Sequence, residues 1–303
     1  MINVEKTIVT RVGISPFSSE QHIGVYRSFL VSVFVAQFSK GKTFLRIDDT
    51  NPLHTANIDK MIDDMTSLIS PQFFYDFSEH EVGATKVGAN FVPAIIESRR
   101  QSIYHKYLDI LKDRGFLFDK EDALYFDARK YIDLYGSNIN VPYQGKANRI
   151  VSIEKVMPNL CFPILVNSGH RFLWHFTSTV DDELLKVTHI VRAKDKIDNQ
   201  VPQTMLNNVL GFSTPEYLYT KIITSHQKLP SINEIVTTGV SLDAIRSYLY
   251  GTITGKSEKL YLSFSDALED FSPELVTPGQ IFYDYKKLLS IQKRLSKLHK
   301  PLS

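Results

Sequence analysis

The pattern of hydrophobic and polar positions predicts an alternation of strands and helices near the N-terminus. The apolar residues Ile8, Val9 and Val12 predict a first strand, and a second strand is predicted over residues 43–47. Between them apolar residues recur at helical spacing, which predicts a helix; they are Tyr26, Phe29, Leu30, Val33 and Phe34. Strand, loop, helix and strand in this order indicate an α/β fold.

The same periodicity predicts mainly helices further along the chain. A helix over 56–69 follows from the spacing of Ile58, Met61, Ile62, Met65 and Leu68. Another is predicted over 95–114, ended by Gly115, and residues 232–303 are predicted to be helical. The sequence contains no internal repeat, low-complexity tract or long linker.

Composition narrows the picture without defining a function. The chain has 303 residues, a net charge of +2 and 43% hydrophobic residues, so charge alone does not indicate a nucleic-acid partner. Its single cysteine, Cys161, excludes an internal disulfide and a cysteine-cluster zinc site, and we interpret it as a small buried side chain. No stretch approaches the roughly 18 apolar residues of a membrane span, and the N-terminus has no apolar leader, so we expect a cytoplasmic protein.

Candidate chemistry lies where the first strands end. The loop after the first strand carries His22 and Gly24 to the start of the predicted helix, and Asp48 and Asp49 follow the second strand. Strand ends and helix N-termini of α/β folds bind anionic ligands. The arrangement therefore predicts free backbone N–H groups, a glycine and an imidazole where a polyphosphate binds.

These motifs resemble the catalytic domain of glutamyl-tRNA synthetases. Residues 10–16 with His22-Ile23-Gly24 resemble the family pattern T-R-F-A-P-S-P-T-G-x-x-H-I-G, residues 45–50 resemble L-R-I-E-D-T, and residues 188–192 resemble T-H-V-I-R. The resemblance covers about residues 7 to 250. It implies an α/β fold of the class I synthetase type, Rossmann-like and nucleotide-binding, with an inserted connective subdomain and a short helical C-terminus. The implied divisions are catalytic halves over 1–115 and 161–231, the insertion over 116–160, and a C-terminal region over 232–303 without a full anticodon-binding domain.

The resemblance also implies a set of amino-acid-binding residues: Arg11, Ser15, Asp48, Trp174, Ser178 and Arg192. Two arginines favour an acidic substrate, with glutamate expected, although both arginines also fit a structural role in ion pairs. Three positions depart from the family: Asp48 replaces a glutamate, Trp174 a tyrosine and Ser178 a residue that is often asparagine. These changes leave the exact amino acid open, and Trp174 also fits the role of a core aromatic.

The implied ATP site departs further from the family. His22, Gly24 and Lys228 match ATP-binding positions, and His22 and Lys228 are the expected catalytic residues. Residues 17–19 are Phe-Ser-Ser where the family has Thr-Gly, and Pro230 stands in the loop that normally carries Lys-Leu-Ser-Lys-Arg. Lys194 replaces an acidic residue and either restores a positive charge near the nucleotide or is a solvated surface lysine. ATP with Mg²⁺ is implied, and zinc is not.

Two classes of function remain open. In the first, the protein is an enzyme that activates an acidic amino acid as an aminoacyl-adenylate and transfers it to tRNA or a small acceptor. In the second, it is a catalytically impaired synthetase-like binding or regulatory protein. Only about 50 residues follow Gly251, so we expect any tRNA contact at the acceptor end, through the insertion and the basic segment 286–300. That segment equally fits a terminal helix that docks its apolar side and solvates its charges.

Overall fold

The computed structural model describes residues 7–17, 20–51, 57–75, 85–90, 92–144 and 146–298, with only the backbone for residues 146, 147, 194 and 195. Its strands are β1 Val9–Ile14, β2 Lys42–Ile47, β3 Thr85–Val87, β4 Val92–Ile96, β5 Leu117–Lys120, β6 Ala123–Asp127, β7 Asn138–Tyr143, β8 Lys146–Ser152, β9 Cys161–Val166, β10 Arg171–Phe172, β11 His189–Ala193, β12 Glu216–Thr224 and β13 Gly279–Phe282. Its helices are α1 Ile23–Phe38, α2 Ile58–Leu68, α3 Gln101–Asp113, α4 Ala128–Tyr135, α5 Ile153–Val156, α6 Trp174–Leu184, α7 Gln200–Leu210, α8 Ile232–Thr237, α9 Leu242–Thr254, α10 Phe264–Glu269 and α11 Tyr285–Leu298.

A parallel layer of strands forms the centre of the fold. Strands β1, β2 and β4 pair in parallel, with β3 antiparallel at the edge, and β11, β12 and β13 form a second parallel sheet. The two sheets lie side by side because the amide of Thr188 donates to the carbonyl of Val9 at 2.9 Å, next to the start of β11. The carboxyl ends of β1, β2 and β11 therefore open at one edge, where α/β sheets bind ligands.

Helix α1 is buried on nearly all sides. Its core residues from Ile23 to Ala36 pack against both parallel sheets and against α9 and α10. A helix that is apolar all round must lie inside the protein. Consequently its position, and the position of its N-terminus, are fixed by surroundings on every side.

A second apolar core surrounds an antiparallel sheet. Strands β5, β6, β9 and β10 make an antiparallel sheet, β7 and β8 form a hairpin, and α3, α4, α6 and α7 contribute to the same apolar cluster. The proposed boundary at residue 160 falls within this sheet, since β9 pairs antiparallel with β6 over Cys161–Val166. The division of the chain into domains stays a prediction.

Two local predictions differ from the structure. The helix predicted over 95–114 begins only at Gln101, because Val92–Ile96 is a completely buried parallel strand whose apolar run carries no period. The region predicted to be helical contains β13, which extends the parallel sheet beside β12. Helix α11 buries Leu288, Ile291 and Leu295 on one side, as expected of a docked helix. Among the described residues, no helix combines the length and apolar character needed to cross a bilayer.

Candidate functional site

Two adjoining cavities open at the carboxyl edge of the parallel layer. The first, which we call the arginine cavity, has a volume of about 620 Å³ and lies between the ends of β1, β2 and β11 and the start of α6. The second, the helix cavity, has a volume of about 850 Å³ and surrounds the N-terminus of α1. The two share part of their lining, including Gly13, Ser15, Phe29 and Lys196. Cavities of this size are typical of small-molecule sites.

The arginine cavity collects five of the six residues implied as amino-acid-binding, namely Arg11, Ser15, Asp48, Trp174 and Arg192. Ser178 is fully buried behind the wall, where its hydroxyl accepts a hydrogen bond from Nε2 of Gln203 at 2.6 Å. Ser178 therefore contacts the supporting layer instead of the cavity. The roles of all six residues toward a ligand stay predictions.

Arg192, in β11, presents its guanidinium at the arginine cavity. The side chain is buried, its Nη2 donates to Oε1 of Gln203 at 3.0 Å, and its carbon Cζ lies 4.7 Å from the centre of the Tyr217 ring. Its Nη1 is buried and has no hydrogen-bond partner in the described part of the chain, and no described carboxylate forms an ion pair with it. Burial lowers the pKa of this guanidinium. A buried cation in this state favours an anionic ligand.

Arg11 differs from Arg192 because its charge is already compensated. Its Nε donates to Oδ1 of Asp182 at 2.9 Å, and its Nη2 donates to Oδ2 at 3.4 Å. Both side chains are almost completely buried. The structural interpretation of the arginines as ion-pair partners thus describes Arg11, and it does not describe Arg192.

Asp48 is held rigidly at the wall of the arginine cavity. Its Oδ1 accepts from Nε of Arg46 at 2.7 Å, while Oδ2 accepts from Nη2 of Arg46 at 3.2 Å and from the indole N–H of Trp174 at 2.8 Å. A Cβ at Gly13 would lie 3.0 Å from Oδ2, so glycine leaves the space that this carboxylate occupies. Trp174 is therefore a positioning residue for Asp48.

Arg46 is the centre of a buried charge network that sequence reasoning missed. It contacts Asp48, Glu97 and Asp182, at 2.7, 3.3 and 3.4 Å respectively. Burial lowers the pKa of the Arg46 guanidinium, but these three carboxylates outweigh that effect and raise it. Burial, and then Asp48, raise the pKa of the Glu97 carboxyl. In the sequence, Arg46 belongs to the 45–50 motif and follows apolar residues of the predicted strand, but no role was assigned to it.

At the helix cavity, the first backbone donors of α1 are already used. The amide of Ile23 donates to the carbonyl of Pro230 at 3.0 Å, that of Gly24 to Nδ1 of His22 at 3.2 Å, and that of Val25 to the carbonyl of His22 at 2.9 Å. The expectation of free N–H groups at this terminus was wrong, because the 225–231 loop folds back onto Ile23 and His22 caps the next two amides. Burial lowers the pKa of His22, and its ring would lie 3.0 Å from a Cβ at Gly24.

The charges at the helix cavity are mixed. Lys196 and Lys228 line it, but so do Glu20 and Glu234. Glu20 accepts from the hydroxyl of Ser231 at 2.9 Å and from Nδ2 of Asn233 at 3.3 Å, which fixes the loop beside α1. These hydrogen bonds, that of Ser231 first, lower the pKa of the Glu20 carboxyl.

Lys194 falls partly outside the described residues. The structure gives its backbone, in a 3₁₀ helix over Lys194–Asn199, but not its side chain. Lys196 in the same segment lines both cavities, which the sequence did not indicate. It is the charged side chain common to the described linings of the two cavities.

Comparisons with known proteins agree with this fold. The family model of the class I tRNA synthetases (E and Q), catalytic domain, matches residues 164–230. The glutamate–tRNA ligase 1 of Petrotoga mobilis is 25% identical over 88% of this chain and 60% of its own length. The glutamate–tRNA ligase 1 of a Sulfurovum species is 24% identical over 93% of this chain and 65% of its own length. The chain thus spans about 60% of the length of the first of these relatives and slightly more of the second.

Solved structures show the same architecture. A glutamate tRNA ligase from Elizabethkingia meningosepticum superposes with a TM-score of 0.69 at 16% identity, covering 97% of this chain and 70% of that one. A methionyl-tRNA synthetase from Mycobacterium tuberculosis gives a TM-score of 0.58 at 12% identity, covering 96% and 69%. The fold is that of these two synthetase structures. In sequence, the chain is similar to the class I tRNA synthetases (E and Q), and among them to glutamate–tRNA ligases.

Proposed function

We propose that the protein activates an acidic amino acid, with glutamate as the expected substrate, by reaction with ATP to an aminoacyl-adenylate. The observation that carries the proposal is Arg192, a buried guanidinium that lines the arginine cavity and has Nη1 unpartnered among the described residues. An acidic side chain supplies the carboxylate that this group lacks. The relatives named as glutamate–tRNA ligases support glutamate as that acid.

Asp48 is proposed to receive the α-ammonium group of the substrate. Arg46 and Trp174 hold its carboxylate in one orientation, so little reorganisation is needed when a ligand binds. In this proposal, the amino acid lies between the guanidinium of Arg192 and the carboxylate of Asp48 in the same cavity.

ATP is proposed to enter the helix cavity, with Mg²⁺ arriving on the nucleotide. Adenylate formation requires orientation of the carboxylate toward the α-phosphate and neutralisation of charge, and it requires no side-chain nucleophile. Lys196 lines both cavities, so we assign it to the charge that develops where they meet. His22 and Lys228 are the remaining candidates for phosphate contacts. The 225–231 loop must leave the N-terminus of α1 before the amide of Ile23 can take part.

The acceptor belongs to the proposal in a less specific form: a tRNA acceptor end or a small molecule. Exposed cations on α11, such as Lys293 and Lys297, and the insertion are the surfaces we assign to tRNA phosphates. We also propose a cytoplasmic location and no membrane partner.

One observation favours the second class of function, a synthetase-like binding or regulatory protein without catalysis. The first three N–H groups of α1 have partners inside the protein, and Glu20 and Glu234 face the space where phosphates would lie. Under this alternative the arginine cavity still binds an acidic amino acid, but the helix cavity does not bind ATP.

Amino-acid-dependent exchange of pyrophosphate into ATP tests the proposal directly. The purified protein is assayed with each of the twenty amino acids, and exchange is expected with glutamate and little with the others. No exchange with any amino acid, together with no ATP binding by calorimetry, would contradict the proposed enzyme and favour a binding or regulatory protein without catalysis.

A further inference from the structure

Gln203 is the side chain that accepts a hydrogen bond from the guanidinium of Arg192. It lies on α7, is buried, and belonged to none of the motifs that indicated the site. Its Oε1 accepts from Nη2 of Arg192 at 3.0 Å and from the hydroxyl of Tyr217 at 3.4 Å. Its Nε2 donates to the hydroxyl of Ser178 at 2.6 Å.

The orientation of this amide is forced by its neighbours. If the oxygen and nitrogen of Gln203 exchanged places, an N–H₂ group would face the N–H₂ group of Arg192, and both are donors. Ser178 accepts from the amide nitrogen while its own hydroxyl lies 3.4 Å from the carbonyl of His175. The carbonyl of Gln203 therefore holds Nη2 of the guanidinium, while the buried Nη1 has no partner among the described residues.

The neutrality of Gln203 matters as much as its geometry. A neutral oxygen satisfies the hydrogen bond of Nη2 without compensating the positive charge, whereas Asp182 compensates Arg11 by a carboxylate. A carboxylate in place of the amide would occupy the same volume and form an ion pair with Arg192. The positive charge of Arg192 would then be neutralised, and the cavity would bind an anion more weakly.

We propose that Gln203 is a positioning residue that sets the preference of the arginine cavity for an anionic ligand. It does so by fixing Arg192 through a neutral oxygen, with no ion-pair partner for the guanidinium among the described residues. The inference rests on the proposed function, since it specifies how the same cavity distinguishes an acidic amino acid from its neutral amide.

The decisive experiment compares wild type, Gln203→Glu and Gln203→Met in calorimetric titrations with L-glutamate and with L-glutamine. We expect wild type to prefer glutamate. Gln203→Glu should bind glutamate about 10²-fold more weakly, because the site is neutralised, while its affinity for glutamine changes little. Gln203→Met keeps the charge and loses the hydrogen bond, so it should retain the preference with a loss of about tenfold or less. Gln203→Glu binding glutamate as tightly as wild type would overturn the inference and leave the proposed function intact.

A second measurement requires no ligand. A carboxylate paired with Arg192 has a lowered pKa in the folded state, so it adds stability above its unfolded pKa that is lost as the pH falls. The unfolding free energy of Gln203→Glu relative to Gln203→Met should therefore rise between about pH 3 and pH 6. If wild type binds neither amino acid, the proposed function fails, and this measurement decides the inference alone: a rise supports it, and a flat or falling difference overturns it.

Discussion

The arginine cavity and the helix cavity adjoin, yet they differ in what their own residues leave unsatisfied. In the arginine cavity, Nη1 of the buried Arg192 has no partner in the described structure. In the helix cavity, the donors of Ile23, Gly24 and Val25 all have partners within the chain, and Glu20 fixes the loop that supplies one of them.

This difference separates binding from catalysis. A cavity with an uncompensated cation is preorganised for an acid, because the protein has already borne the cost of burying the charge. A helix terminus that is closed by its own loop must open before a phosphate can bind, and opening costs the hydrogen bonds that are lost. We therefore expect amino-acid recognition to be the more robust property of this protein and ATP binding to be the weaker one.

The largest effect is expected for Arg192→Ala, which removes the feature that distinguishes the arginine cavity. Affinity for glutamate should fall by about 2 to 5 kcal/mol, because a buried charge pair with the ligand is lost. Isothermal titration measures the affinity, and circular dichroism confirms the fold. Arg171→Ala is the matched control: Arg171 lines the same cavity, but its side chain is only partly buried and stays hydrated, so its loss should have a smaller effect. Unchanged glutamate binding by Arg192→Ala would show that the arginine does not contact the ligand.

A second effect contrasts the histidines beside the two cavities. Burial, followed by Arg192, lowers the pKa of His175 from 6.5 to about 4. A lowered pKa means that the folded state binds the proton less tightly, so stability is present above pH 6.5 and is lost as the pH falls toward 4. The loss attributable to His175 should reach at most about 3 kcal/mol.

Urea unfolding of wild type and His175→Asn between pH 7 and pH 4 measures this contribution. The unfolding free energy of His175→Asn should fall less steeply than that of wild type as the pH falls, by a slope equivalent to at most one proton. His22→Asn, at the more exposed helix cavity, should change this slope less. Parallel pH profiles for wild type and His175→Asn would remove His175 as the cause.

The smallest effect concerns the closed helix cavity. Glu20→Gln weakens the contacts with Ser231 and Asn233 and removes a negative charge near the start of α1. Affinity for a non-hydrolysable ATP analogue should rise by about 1 kcal/mol, or roughly fivefold. Calorimetry with the analogue and Mg²⁺ measures the change.

Glu234→Gln provides the comparison for this variant. Glu234 lines the same cavity, but its carboxylate accepts from the amide of Ser231 within the capping box of α8. Glu234→Gln removes the same charge without weakening the contacts of Glu20 with Ser231 and Asn233. Equal gains in both variants would attribute the effect to charge alone, and no gain in either would show that the loop does not limit ATP binding.

The sequence by itself determined the class of fold and the location of the site at the ends of the first strands. The apolar periods of β1, α1 and β2 are local properties, and the motif residues at their ends reached the arginine cavity as expected for Arg11, Ser15 and Asp48. The sequence did not predict strands β4 and β13. A short apolar run such as β4, or a short exposed strand such as β13, has no period that distinguishes it from helix or loop.

Only the tertiary structure decided which arginine is available for a ligand. Arg11 and Arg192 look alike in sequence, but a carboxylate on α6, 171 positions away, compensates Arg11, while Arg192 meets the neutral amide of Gln203. The indole of Trp174 reaches Asp48 across 126 positions, and Pro230 reaches Ile23 through a loop that folds back. The spacing of the motifs determines which groups lie at the site. Their net charge, and the hydrogen-bond donors and acceptors left for a ligand, depend on partners that the folded chain brings from elsewhere.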